Sequence, residues 1–251
     1  MMLGEIISRT EERVAAMGEF PVRKPQRMPR SLKAAVLSAA PRAGIIAELK
    51  AASPSRGCIR EGIDVEPMVE QLTAGGCIAL SILTEPFFFG GSPETLVRAT
   101  RVSRVPLLRK DFIIDEQQLV ETALLGADAV LLIAAVLGDN LPDFVNRAYS
   151  LGLEPLVEIH NRDEAELALA TNADLIGINN RDLDTMKISL NTTKRLSAYV
   201  RDEGRLVISE SGIIWPYNVK EMRPFCDAFL IGTAIMSSRD PRKKLEGFVF
   251  A

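Results

Sequence analysis

Histidine occurs once in this chain of 251 residues, as His160, and that scarcity removes whole classes of chemistry. One imidazole argues against a multi-histidine metal centre and against a Ser-His-Asp relay. Cysteine is almost as sparse. Cys58, Cys77 and Cys226 are odd in number and form no C-x-x-C, which excludes a disulfide framework or structural zinc site and fits a reducing cytosol. No apolar run approaches the ~20 residues of a membrane span. The opening stretch, MMLGEIISRTEERVAAMGEF, is amphipathic, carries Glu5, Glu11 and Glu12, and lacks the apolar core of a secretory signal. Charge of one sign is not in excess. Thirty Lys and Arg against 33 Asp and Glu give a net charge of -3, with no electrostatic reason to expect nucleic acid or membrane as a partner.

What is present is alternation. Hydrophobic residues make up 47% of the chain, enough for one sizeable core. After residue 44, short apolar runs lie near 45–49, 77–83, 105–109, 128–133, 155–159, 174–178, 206–209 and 227–231. Runs of that length read as buried parallel strands. Helical patterns between them are expected at 64–76, 115–127, 141–152, 161–172, 191–203, 216–223 and 240–248, with Asp64 and Asp115 as N-caps and Gly126, Gly152 and Asn172 at exits. Strand-helix alternation implies a parallel sheet with right-handed crossovers. Eight such units predict a closed (β/α)8 barrel. The runner-up is a doubly wound sheet, but no G-x-G-x-x-G follows the first run. The whole chain is expected to be one barrel domain. Within it, residues 1–44 form an N-terminal helical extension, with Pro21, Pro25, Pro29 and Pro41 and a short helix at 31–40. That segment holds eight Lys and Arg against four Glu. It reads as a solvated helix and linker, or alternatively as a basic flap over an anionic ligand.

The strand-like runs stop on charged or amide residues. The first ends at Glu48 and Lys50, the third at Lys110, the fifth carries Glu158, the sixth ends at Asn179 and the seventh at Glu210. Charge at a strand end is costly unless paired or solvated. In barrels of this kind the carboxyl ends of the strands form the active mouth. Glu48 and Lys50, at i and i+2, share one face, and so do Glu158 and His160. Lys110 and Glu158 make a candidate acid-base pair across the mouth. Arg109 points to the opposite face as a structural cation, and His160 is left outside the site as a rim residue. S-E-S-G-I (209–213) and I-G-T-A (231–234) place small residues where such barrels bind phosphate, with Ser211, Gly212, Gly232 and Thr233 as candidates. Three phenylalanines follow the second run. At least two of them are expected to anchor the loop on the helix layer.

The segments E-L-K-A-A-S-P-S-R-G (48–57), L-L-R-K-D-F (107–112), L-V-E (156–158), G-I-N-N-R-D-L (177–183), S-E-S-G-I and I-G-T-A together resemble the indole-3-glycerol phosphate synthase family, in order and over nearly the whole chain. The resemblance implies a cytoplasmic lyase of tryptophan biosynthesis with no metal or organic cofactor, acting as a monomer or weak homo-oligomer. Its small-molecule substrate would be 1-(2-carboxyphenylamino)-1-deoxyribulose 5-phosphate. It further implies Lys110 as general acid in ring closure and Glu48 and Glu158 in proton transfer during dehydration. Lys50 would act near the carboxylate and hydroxyl, and Asn179 and Glu210 would hold substrate hydroxyls. Ser53, Ser211, Gly212, Gly232 and Thr233 would cradle phosphate, and Phe89, Phe112 and Arg181 would line the anthranilate end. The chain departs from the family pattern at Ala51, where a second basic residue is frequent, and at Thr233, where Glu is frequent. Two rivals stand beside this reading: a phosphoribosyl anthranilate isomerase-like sugar-phosphate isomerase, and a barrel that only binds phosphate.

Overall fold

Eight short strands run parallel and close on themselves among the described residues. They are β1 (Gly44–Leu49), β2 (Ala79–Leu83), β3 (Leu107–Lys110), β4 (Ala129–Ile133), β5 (Glu154–Ile159), β6 (Leu175–Asn179), β7 (Leu206–Glu210) and β8 (Ala228–Ile231). The computed structural model describes residues 2–21, 28–54, 56–182 and 185–251; Pro25, Ser55 and Leu183 of the segments above lie outside the described residues. Each strand falls within two residues of its apolar run, and the closed order rules out the open doubly wound sheet.

The two-residue period of a strand divides each run between two cores. Ile46, Leu108, Leu156, Leu175, Ile208 and Leu230 pack together inside the barrel. Alternate residues such as Ile45, Leu107, Val157 and Phe229 pack outward against the helices. Most of these side chains are inaccessible to solvent, and burying each contributes about 1.5–3 kcal/mol. Two residues beyond Ile46, Leu108, Leu156 and Ile208, the same face carries Glu48, Lys110, Glu158 and Glu210. The inner apolar layer is therefore the seat of the charged layer.

The helices longer than one turn, among the described residues, are α1 (Met2–Ala15), α2 (Leu32–Leu37), α3 (Val65–Ala74), α4 (Pro93–Val102), α5 (Glu116–Leu124), α6 (Leu141–Ser150), α7 (Arg162–Leu169), α8 (Asn191–Asp202), α9 (Pro216–Met222) and α10 (Pro241–Val249). Asp115 caps α5 as expected, with Gln118 completing a capping box. Asp64 holds the N-cap position of α3 but its carboxylate turns to Arg98 instead, 2.8 Å away. Helix α4 has no counterpart in the expected set. Its start signals are present, since Ser92 accepts from Thr95 N and Pro93 opens the first turn. Leu96 and Ala99 are the residues it buries.

The N-terminal segment is not simply outside the barrel. Leu32 and Val36 of α2 join the inner cluster and plug the floor, where the strands begin. The plug is bolted by Lys33 Nζ to Asp174 (2.8 Å), by Ser31 Oγ to Glu154 (2.6 Å) and by Arg30 N–H donating to Asp128 (2.8 Å).

Candidate active site

At the opposite end a cavity of about 600 Å³ opens over the strand ends, and all fourteen residues singled out from the sequence line it. Parallel register explains the convergence. Leu83 pairs with Lys110, Ile133 with Glu158 and Asn179 with Glu210, so neighbouring strands end at one level.

Lys110 is the centre. Its Nζ donates to Glu158 Oε2 at 2.8 Å and to Glu210 Oε2 at 2.9 Å. Burial alone would lower its pKa, but Glu158, Glu210 and Glu48 together hold it raised, so the ammonium is the resting form. The two carboxylates on it are not equivalent. Burial opposes the charge of Glu158, yet Lys110 and His160 bring its carboxyl well below the usual range. Asn179 Nδ2 donates to its other oxygen at 3.1 Å. Burial pushes the Glu210 carboxyl up to about 8, and its Oε1 is buried without a hydrogen-bond partner. Of the pair, Glu210 is thus the carboxyl whose charge burial opposes more effectively.

Two glycines make room for this layer. A Cβ at Gly177 on β6 would overlap Glu210 Oε1, and one at Gly232 would overlap Glu48 Oε1. The occupant of position 177 thus decides where the Glu210 carboxylate can lie. Glu48, buried at the end of β1, pairs with Lys50 at 2.7 Å across the i, i+2 step.

Around this layer the cavity separates by chemistry. Ser211 is held in the left-handed region at φ 63 and is followed by Gly212 at φ 89, a strained turn of the kind that clusters at ligand sites. Ser53 Oγ, on the short hairpin Ala52–Ser53 with Gly57–Cys58, is buried without a partner and lines the same cavity. Thr233 opens a single helical turn after β8. The guanidinium of Arg181 has its pKa lowered by burial first and by Arg56 second, which sets two cations against one side of the cavity. Phe89 and Phe112 stand with ring centroids 6.2 Å apart and planes tilted by 39°, two faces for a flat ring.

Glu85, buried, shapes that aromatic loop. Its carboxylate accepts from the backbone N–H of Phe87, Phe88 and Phe89 at 2.8–3.0 Å. Phe87 is exposed and Phe89 lines the cavity, which corrects the expectation that at least two of the three phenylalanines anchor the loop on the helix layer; a buried carboxylate does that work instead. Arg109 lies on the outer face as expected. It is fully buried between Thr84, Thr122, Asp111 and Glu121.

Two features escaped sequence reasoning, and a third was set aside as a rim residue. The first is the roof: Met2, Leu3 and Ile6 of α1 line the cavity, and Arg13 clamps α1 to Asp111 with bonds of 2.7 and 3.1 Å. The Arg13 end of α1 is thus fixed by an ion pair, unlike the solvated helix that composition favours. The second is Arg56, readable only as the last charge of A-A-S-P-S-R. The third is His160, whose Nε2 lies 3.4 Å from Glu158 Oε1. Its signal, a shared face with Glu158, was present. Among the described residues, no cluster of His, Cys, Asp and Glu is arranged to hold a metal ion, and no helix is long and apolar enough to cross a membrane.

A family model described as indole-3-glycerol phosphate synthase matches residues 3–248. A relative of that name from Methanopyrus kandleri is 39% identical, covering 99% of this chain and 98% of the relative. Another from Thermoanaerobacter sp. (strain X514) is 45% identical over 82% of this chain and 79% of its own. Among solved structures, a tryptophan synthase alpha chain from Legionella pneumophila subsp. pneumophila superposes with a TM-score of 0.63 at 13% identity, over 88% of this chain and 96% of that one. At that identity the likeness speaks for the barrel fold alone.

Proposed function

The chain belongs to the indole-3-glycerol phosphate synthase family, and from that premise we propose how its mouth divides the reaction. The enzyme is a carboxy-lyase of tryptophan biosynthesis. It converts 1-(2-carboxyphenylamino)-1-deoxyribulose 5-phosphate to indole-3-glycerol phosphate, releasing CO₂ and water. The isomerase and the purely phosphate-binding barrel are not favoured. The observation that carries the assignment of roles is the buried Lys110 ammonium held between the carboxyl groups of Glu158 and Glu210, at 2.8 and 2.9 Å.

Ring closure joins the carboxylate-bearing aryl carbon to the ketone carbon of the sugar chain. The ketone oxygen becomes a hydroxyl and must receive a proton as the bond forms. Lys110 supplies it as general acid. Lys110 has no free lone pair while protonated, so Glu158 and Glu210 first serve to hold it cationic and aimed. Loss of CO₂ returns its bonding electrons to the ring and restores aromaticity. The new hydroxyl then departs as water while a proton leaves the adjacent ring CH₂. That step needs one acid and one base, and Glu158, ionised, is the base. Lys50, paired with Glu48, protonates the leaving hydroxyl. One proton is consumed overall, because a carboxylate leaves as neutral CO₂. A positioned acid or base contributes ~10²–10⁴-fold.

The substrate's two anionic ends fit the two remaining zones. The phosphate goes to Ser53, Ser211, Gly212, Gly232 and Thr233. The anthranilate ring goes between Phe89 and Phe112, with Arg181 at its carboxylate. Asn179 and Glu210 hold the chain hydroxyls between. With three free cysteines, the protein works in the cytoplasm, as a monomer or weak homo-oligomer, and engages neither nucleic acid nor membrane. Purified protein with EDTA should generate indole fluorescence from the substrate. Absence of product at high enzyme concentration would refute the catalytic reading, and metal dependence would refute the cofactor-free one.

A further inference from the structure

His160 is the one imidazole in the chain, and it lies between two carboxylates. Its Nδ1 is 2.9 Å from Glu164 Oε2, in the first turn of α7. Its Nε2 faces Glu158 Oε1 at 3.4 Å, an ion-pair distance without hydrogen-bond geometry. Glu164 is itself held from three sides. It accepts from the backbone N–H of His160 at 2.8 Å and from Asn161 Nδ2 at 2.6 Å, in addition to the imidazole. The ring is therefore clamped by a helix N-terminus and not left free to rotate.

The charges around it do not balance without it. Glu158 is faced by Lys110 from β3, by Asn179 from β6 and by His160 just past the end of β5, while Glu210 on β7 shares Lys110. Counting Glu48 and Lys50 at the end of β1 and Glu164 on α7, four carboxyl groups meet two lysines. The set is neutral when His160 is an imidazolium and Glu210 carries a proton. Burial lowers the basicity of the ring, but the two flanking carboxylates outweigh it and raise its pKa to about 10.

We propose that His160, clamped by Glu164, is a positioning residue that keeps Glu158 ionised and turned toward the reacting atoms. It touches no substrate on this view and acts through Glu158. The proposal rests on Glu158 being a base of the reaction, and it adds the device that makes Glu158 one below neutral pH. The device is needed because Glu158 shares its lysine. Lys110 also donates to Glu210, and once it has given up its proton it no longer holds Glu158 ionised. An imidazolium that takes no part in the chemistry continues to do so.

The experiment is the pH profile of kcat/KM, which reports groups of the free enzyme. His160→Gln keeps a polar side chain of similar reach and removes the charge. The acidic limb should move to higher pH by about one unit, the low end expected for losing a close opposite charge. Activity would then fall about tenfold on that limb and recover to within a few-fold at higher pH, with KM little changed. Glu164→Gln, which keeps the helix cap, should shift the limb the same way by less. It carries the test if His160→Gln folds poorly, as judged by its melting temperature. A uniform fall in rate with an unmoved profile in both variants would overturn the proposal and leave His160 a structural residue. Glu158→Gln separates the two failures: full turnover in that variant would refute the role of Glu158 itself, whatever His160 does.

Discussion

The two ends of the barrel bury charge in different ways. At the floor, the buried Asp128 and the half-buried Asp227 both have settled partners. Asp128 accepts from Arg30 N and Leu107 N, each at 2.8 Å, and Asp227 accepts from Val207 N while pairing with Arg201 at 2.7 Å. At the mouth, two carboxylates compete for one lysine, one carboxylate oxygen has no partner, and a serine stands in left-handed conformation. Both arrangements cost desolvation. At the floor that cost is offset by hydrogen bonds that never change. At the mouth the partial satisfaction leaves protons free to move. Floor carboxylates thus hold the fold, whereas mouth carboxylates are placed at a cost to it, as the proposed proton transfers require.

The sharpest way to break this contrast is Lys110→Ala. Turnover should fall by ~10²–10⁴-fold or more, while the melting temperature stays close to wild type; a large loss of stability would make Lys110 a structural residue. Asp128→Ala should do the reverse. It strands buried backbone donors, at about 1–3 kcal/mol each, so chemical denaturation should shift while kcat per folded molecule holds. Next comes Gly177→Ala. The new methyl would push Glu210 off Lys110, and displacement of this size costs ~10²-fold in rate. Unchanged kcat would mean that the niche under Glu210 is not needed. Arg13→Ala should release the Arg13 end of α1 and raise KM several-fold with a smaller change in kcat, read by steady-state kinetics.

The smallest effect is one of pH on stability. His160 has its pKa raised to about 10 from an ordinary 6.5 by Glu158 and Glu164, despite burial. A raised pKa means that the folded state binds the proton more tightly. Its contribution is complete below about 6.5 and is lost as pH rises through about 10. The melting temperature of wild type should therefore fall toward that of His160→Gln across this window. A constant difference between the two would show that the imidazolium is not what stabilises the site.

Strand positions were legible because a buried parallel strand must be continuously apolar, and helix starts because capping is local. Helix α4 was missed although its Ser92-Pro93 start is an equally local signal. The floor carried a sequence signal that went unread. Asp128, Asp174 and Asp227 each precede an even-numbered strand, in A-D-A, A-D-L and C-D-A. Of the site, each charged strand end could be found in the sequence, and the cavity gathers all of them. The roles given to them rest on resemblance and on geometry together.

The sequence by itself determined the alternation, hence the barrel, and through the two-residue period which charges share a face. Those are local consequences of side-chain direction and solvent. Tertiary structure alone decided which charges meet. That α2 seals the floor and α1 roofs the mouth, that Glu158 and Glu210 divide one ammonium, and that His160 faces Glu158 depend on register between strands and on burial. Both are set by long-range packing, and a proton's position follows from the field that packing creates.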